Sequence, residues 1–590
     1  MPAFARKPLK VLLQEEENGQ LHRTLNLFDL TAIGIGGTVG SGVFSVVGSA
    51  AGRDCGPSVI IAIILGSLGC LLTGNAYVKL SRAIPSTGSV YAYAYQSLGE
   101  VFAVICASCL TLEYALSGSA VAVSWGSKFA SAVNVEALGV MKLGPVPVNW
   151  AAAMICVPCM LILLQGLVLG KTFSNVMTLL KCAIVIFIIV SSLVFFDASN
   201  LSPLVPPRTT VSGKSRYGVD GLFRGTVDCF FAFIGFDEVC CLAGESRDPK
   251  KDMPRAVMLS VSGTALFTFL ASLGIVGMQH YMDIDPDDGF VEGLKAHGWN
   301  ASALIISIGE LATLPLVVFI SFLPQARLFY AMAMDGLMPL IFTRLNRGGV
   351  LFWSNIIIGV VCILLALVVD FGLFNDMISA GVLLSFILCN CSLIMLSLTP
   401  VVPSSDNTAE ASFMIGSSVV ESPEAVEGEA GQLSRRRNGT ALALYCVCVF
   451  ACMVLMTGLL LPTTVLGELT SAPQAVRIVI AAFASVFGLV AVASLAKLCC
   501  QRYNKKLGSI WIPAAAILFN SFMLATLTLK GFLIITGYFA LVLLGYFLYG
   551  TRHSASNHRE WLRRSLVVQQ QNPLSLPEDP PRASENTQPN

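Results

Sequence analysis

Charge is what this sequence has least of. Asp, Glu, Lys and Arg make up 12% of its 590 residues, against about 25% in a soluble globular domain. A chain this poor in charge cannot cover a water-facing surface, and at this length one soluble core cannot hide the excess. That excludes a soluble enzyme, a nucleic-acid binder and a disordered scaffold; a net charge of +1 offers nucleic acid no electrostatic footprint. Histidine is also scarce, 5 in all, and none lies deep in an apolar run. No HExxH or GxSxG occurs, so the constellations of a zinc protease or a serine hydrolase are missing. What is abundant is apolar: 55% hydrophobic residues and a mean hydropathy of +0.74. This is the composition of a polytopic membrane protein.

The 18 cysteines do not read as a disulfide set, because disulfide scaffolds are short, secreted and loop-rich, whereas most of these sit in apolar runs. The pairs Cys106/Cys109 and Cys156/Cys159 read as small residues packed between helices rather than metal ligands. No metal and no cofactor is expected. Residues 1–26 are polar and mixed in charge, and a full-length apolar run follows at once, so they read as a cytosolic N-terminus rather than a cleavable leader.

A spanning helix needs about 20 apolar residues. Fourteen such segments are legible, at 27–51, 57–80, 100–129, 150–169, 172–196, 221–243, 256–280, 301–326, 351–370, 374–399, 440–461, 474–499, 509–528 and 531–549. With the N-terminus in the cytosol, 26 of the 37 Lys and Arg fall in cytosolic segments, as the positive-inside rule requires. Both termini are therefore expected in the cytosol. Residues 400–437 and 565–590 lack the apolar content to form a core, so 400–439 reads as a disordered cytosolic loop and 550–590 as a cytosolic tail.

Two spans break the rule that backbone in hydrocarbon satisfies its own polar groups. The first holds five glycines between Gly34 and Gly42. They fall on all faces, so an unwound segment fits better than a single packing stripe. The sixth runs Phe230-Phe231-Ala232-Phe233-Ile234-Gly235-Phe236-Asp237-Glu238. Glycine-interrupted spans at matching places in two halves point to a transporter's binding site. The architecture expected is all-α, with spans 1–5 (27–196) and 6–10 (221–399) as inverted repeats and spans 11–14 (440–549) added. Half-helix N-termini suit a carboxylate and opposing carbonyls an ammonium, so the ligand chemistry is that of an amino acid.

Charges at depth are functional candidates. At about 1.5 Å per residue, Glu113, Lys181 and Glu310 all fall near the midplane. Lys181 beside a broken helix can stand where a coupling sodium would otherwise sit, and can exchange a proton. Glu310 and Asp228 read rather as structural ion-pair members.

At these residues the sequence resembles the cationic amino acid transporter family of the amino acid–polyamine–organocation superfamily. The resemblance is carried by LNLFDLTAIGIGGTVGSGVF (25–44), AIPSTGSVYAYAYQSLGE (83–100), LEYALSGSAVAVSW (112–125), FFAFIGFDEVCCLAGESRDPKKDMPRAV (230–257) and ARLFYAMAMDGLMP (326–339). It implies the LeuT-type fold and alternating access. It implies that Gly40, Ser41 and Gly42 offer amides to the substrate carboxylate, and that Thr38 with carbonyls of Phe231, Ala232 and Ile234 surrounds the ammonium. Ser117 would face them from span 3, and Phe231 or Phe236 would be the inner gate. Glu113 and Lys181 look like the pair of proton-coupled members, with Asp237 beside them. Gly244-Glu245-Ser246-Arg247-Asp248-Pro249 matches the inner end of span 6, which helps close the inner gate. Ile320 stands where members carry a small residue, which narrows the pocket.

The function expected is sodium-independent amino acid transport, cationic by preference, with proton coupling as an option. The alternatives are a transporter of small neutral amino acids and an amino acid sensor on the same fold without net transport. The partners are the amino acid and the lipid bilayer, with no nucleic acid. The plasma membrane is the expected location, a vacuolar, lysosomal or other endomembrane the alternative.

Overall fold

A computed structural model describes residues 4–9, 11–13, 23–133, 141–143, 146–165, 167–211, 214–286, 288–346, 349–368, 371–398, 429–461, 464, 466, 473–500, 509–527 and 529–555. The loop predicted at 400–439 and the tail at 550–590 lie largely outside these residues.

The chain opens with a capping box: Asn26 Oδ1 accepts from the Asp29 amide, and Asp29 Oδ2 accepts from the Asn26 amide. This starts α1 (Leu27–Ser41), which continues as π-helix over Gly42–Val47 and Ala50–Cys55. Then come α2 (Val59–Ala83), the short α3 (Val90–Ser97), α4 (Glu100–Thr111), a π-turn over Leu112–Leu116, and α5 (Ser117–Val133). The first half ends with α6 (Trp150–Leu164) and α7 (Leu167–Val194). The second half holds α8 (Gly218–Phe230), α9 (Pro249–Met278), α10 (Gly289–Ala296), α11 (Asn300–Met334), α12 (Phe352–Val368) and α13 (Phe371–Ser397). The last helices are α14 (Glu429–Leu460), α15 (Gln474–Cys499), α16 (Trp511–Ala525) and α17 (Leu529–Gly545).

Among the described residues, ten helices are long and apolar enough to cross a membrane, and α6, α12 and α16 are shorter apolar helices. Each predicted segment overlaps helix among the described residues. Two small antiparallel hairpins, Met141–Leu143 with Val146–Val148 and Thr209–Val211 with Lys214–Arg216, qualify the all-α expectation; both lie in loops between spans.

α1 is the axis of the molecule. It packs against α7, α9, α11 and the residues after α8, so its middle is buried, while Phe28 in its first turn is exposed. α14, α15 and α16 form a satellite core with α13 around Tyr445, Leu498 and Ile517, and α15 is mostly exposed.

At the end of the bundle where Ala5 and Ala555 lie, the chain is clamped. Lys7 Nζ lies 2.5 Å from Asp335 Oδ1, and Tyr91 donates to Asp335 Oδ2 at 2.6 Å. The Glu100 amide donates to Ala5 O at 3.0 Å. Its carboxylate accepts from Tyr95 at 2.6 Å, from Tyr546 at 2.7 Å and from Ser554. The Ala555 amide donates to Asp335 O. The N-terminal arm is thus held by Asp335 and Glu100, and the segment after α17 braces both.

Candidate functional site

The predicted break in span 1 is not there. Gly40 and Ser41 are α-helical, and the Gly42 amide bonds to Thr38 O and Val39 O as the helix widens to π. Those amides are therefore engaged in the helix rather than free for a carboxylate. The five glycines serve close packing, each against a different neighbour. A methyl on Gly34 would lie 2.1 Å from Ser260 Oγ, on Gly36 2.3 Å from Thr178 Oγ1, and on Gly40 2.5 Å from Lys181 Nζ. On Gly37 it would meet Ile320, and on Gly42 it would lie 2.7 Å from Ala232 Cβ. Glycines occupy all faces because helices press on all faces.

Span 6 is broken as its sequence suggests. α8 stops at Phe230, 3₁₀ turns follow at Phe231–Phe233 and Glu238–Glu245, and Gly235 between them has φ +115°. That conformation suits glycine alone. A side chain there would also meet Gly37 and Thr38 of α1. Some fifteen residues in the middle of the bundle thus leave the α-helical ladder, as Phe231 to Glu245 show. At its lower end this limb rejoins α1: the Leu25 amide donates to Glu245 O at 3.0 Å and the Arg247 amide to Leu25 O at 2.9 Å.

Lys181, fully buried on α7, reaches into the gap at Gly40 and donates to Gly36 O at 2.7 Å. Glu113 is not its ion-pair partner among the described residues. Glu113 sits in the π-turn between α4 and α5, facing Asp237, Glu238 and Ser385. π-turns inside spans are frequent at functional sites. Asp237 Oδ2 accepts from Tyr114 at 2.9 Å. Ser321 reaches the Glu238 carboxyl, and Ser117 donates to Ser321 at 3.4 Å.

Ile320 and the Glu238 carboxyl thus lie against Gly37 of α1 beside the Gly235 break, with Ser321 and then Ser117 linked behind Glu238. Ala232 packs on Gly42, and Ile234 is buried in the turn. One assignment is corrected. The Thr38 hydroxyl bonds Gly34 O at 2.8 Å and Thr264 Oγ1 at 2.6 Å, so it is spent on helix packing. Phe236 packs edge-on against Tyr77 at 5.5 Å and lies 5.6 Å from Phe386. The side chains of Ser41 and Phe231 lie outside the described residues. Glu238 and Ser321 belong to the site although the sequence did not single them out as binding residues. Glu238 follows the glycine break by three positions, and Ser321 adjoins Ile320.

Glu310 is structural: its Oε2 lies 2.8 Å from Lys128 Nζ, which is also 2.8 Å from Asp288 Oδ1. Asp228 pairs with Asp54, near Arg224 and Arg53.

The profile of the amino acid permease family matches residues 25–417. The methylthioribose transporter of Bacillus subtilis is 32% identical over 402 residues, covering 67% of this chain and 85% of that protein. Cationic amino acid transporter 4 of Mus musculus is 27% identical over 592 aligned positions, covering 94% and 91%. The branched-chain amino acid permease of B. subtilis is 29% identical over 408, covering 67% and 85%. Mhp1, a nucleobase-cation-symport-1 transporter, superposes with TM-score 0.45 at 12% identity, covering 85% of this chain and 96% of that one, too weak a likeness to carry a fold assignment. The relatives are transporters, not enzymes, and with a profile match over residues 25–417 this chain belongs to the amino acid permease family.

Proposed function

We propose that the chain moves amino acids across a membrane by alternating access, with cationic ones preferred, without sodium. The midplane region between α1, the span-6 break, α5 and α11 would be the substrate site. The observation that carries the cationic preference is a set of buried carboxyls without a cation. Glu113, Asp237 and Glu238 are buried, and no Lys or Arg side chain pairs with any of them among the described residues. Buried carboxyls are costly unless paired, and a guanidinium or ammonium from the substrate would pair them. Lys181, in the gap at Gly40, is the group proposed to exchange a proton. The two halves 27–196 and 221–399 are proposed as the inverted repeats that rock around this site. Both termini are proposed to be cytosolic and the membrane to be the plasma membrane; two Arabidopsis relatives are named as mitochondrial and vacuolar.

A second reading has its own support. Ile320 presses on Gly36 and Gly37, which narrows the site toward a smaller neutral side chain, and one relative is a branched-chain amino acid permease. Uptake of radiolabelled arginine and leucine into proteoliposomes, with and without a pH gradient, separates the two. Arginine uptake raised by an inward proton gradient is expected. Leucine uptake alone favours the second reading. Binding of either without counterflow means a sensor, and neither binding nor uptake ends the proposal.

A further inference from the structure

We propose that Cys391 and Cys446 are a modification site, a pair of thiols that a hydroperoxide of the bilayer closes reversibly to a disulfide, stapling α14 to α13. The chemistry stands apart from the transport reading, since it uses no residue of the candidate substrate site.

α13 is the wall shared by the two cores. Leu383, Phe386 and Leu393 belong to the main core, while Ile387, Cys391 and Ile394 belong to the satellite core that α14 and α16 complete. α14 is bound to α16 by hydrogen bonds, from Tyr445 to Ala514 O at 2.9 Å and from Thr457 to Ala525 O at 3.3 Å. Against α13 it sets Cys446, whose Sγ lies 3.4 Å from Cys391 Sγ, although the two residues are 55 positions apart. Both are unbridged thiols. A disulfide needs its sulfurs about 2.0 Å apart, so each must move by about 0.7 Å. A modest turn about its own Cα–Cβ bond moves a sulfur that far.

Exposure sets the order of events. Cys391 is 6% exposed. Cys446 is only partly buried, and Leu444 and Val447 beside it on α14 are exposed. On a membrane-spanning helix such side chains face acyl chains, so Cys446 borders the lipid, where lipid hydroperoxides form. Its sulfur attacks the outer oxygen of the peroxide. The O–O bond breaks, the inner oxygen leaves with the thiol proton as an alcohol, and Cys446 becomes a sulfenic acid. Cys391 Sγ then attacks Cys446 Sγ. The S–S bond forms, the S–O bond breaks, and the hydroxyl leaves with the Cys391 proton as water. The two thiols give up two electrons and the peroxide takes them. A dithiol reverses the bond by exchange. Thiols among apolar side chains ionise rarely, so the pair answers oxidation sustained over hours rather than a brief pulse. Once closed, the bond restrains the unfolded chain between positions 391 and 446.

The purified full chain in lipid nanodiscs, incubated with cumene hydroperoxide, tests this. Oxidant is raised until the exposed Cys500 reacts; remaining thiols are alkylated in denaturant, and non-reduced peptides are read by mass spectrometry. A joined peptide pair holding Cys391 and Cys446 is expected in at least half of the chains, absent before oxidation and after dithiothreitol. The unfolding temperature should rise on oxidation and return with the same reductant. In Cys391→Ser the joined pair should vanish and dimedone should trap Cys446 as its sulfenic acid. In Cys446→Ser, Cys391 should stay a thiol. Recovery of Cys391 and Cys446 as alkylated thiols once Cys500 has reacted, or pairing of Cys446 with another cysteine, overturns the proposal. A joined pair that leaves the unfolding temperature unmoved overturns the staple.

Discussion

At Gly40 a hydrogen atom makes room for the amine of Lys181, and the neighbouring glycines do the same for other helices. The sequence showed the five glycines but not what pressed on them, since Ser260, Thr178, Ile320, Lys181 and Ala232 come from four other segments. Glycine in a helix has two opposite uses, unwinding and close approach, and spacing alone does not separate them. The two uses predict different mutants. At Gly40 the added methyl meets the far end of a flexible side chain, 2.5 Å from Lys181 Nζ. Gly40→Ala should therefore keep the fold but push Lys181 off Gly36 O, and reproduce Lys181→Ala: both should abolish the dependence of uptake on a pH gradient. Retained pH-dependent uptake in both would remove Lys181 from coupling. At Gly42 the methyl meets Ala232 Cβ, Cα and O within 3.1 Å, and backbone cannot swing aside. Gly42→Ala should cost about 1–3 kcal/mol by overpacking, read as a lower unfolding temperature of the purified protein.

Among the elements, the sixth span was legible because its signal is local: one glycine within an aromatic run, followed at once by two acids. The site's other members come from α5, α7 and α11, and their meeting is a matter of tertiary distance. Glu310 shows the same limit. Its depth marked it as an ion-pair candidate, but its partner Lys128 lies 182 residues away on α5. That contact ties α5, α10 and α11 together, since Lys128 also holds Asp288 just ahead of α10. Removing one member of a buried pair leaves the other uncompensated, at a cost of about 3–5 kcal/mol. Lys128→Met should therefore lower the unfolding temperature sharply, and adding Glu310→Gln should recover most of the loss. A double variant no more stable than Lys128→Met alone would show that the pair is not what joins these helices.

For the molecule as a whole, composition alone placed the chain in a membrane, and each apolar segment overlaps helix among the described residues. The clamp at the end where Ala5 and Ala555 lie was invisible in sequence, because it joins residues from far-apart parts of the chain. Lys7 is held by Asp335, and Ala5 by Glu100; Ala555 and Ser554 brace the same two acids. Ending the chain after residue 545 removes Tyr546, Ser554 and Ala555 together. Amide hydrogen exchange across residues 4–9 should then rise at least tenfold, while α1, α7 and α9 keep their protection. Unchanged exchange at 4–9 would mean that Asp335 and Tyr91 hold the arm unaided.

The clamp also carries an order in time. The arm is made long before its brace. A ribosome must pass position 555 before Asp335 and Glu100 receive their final partners. Every shorter nascent chain lacks the finished seal, so closure of this side waits until Ser554 and Ala555 have been made.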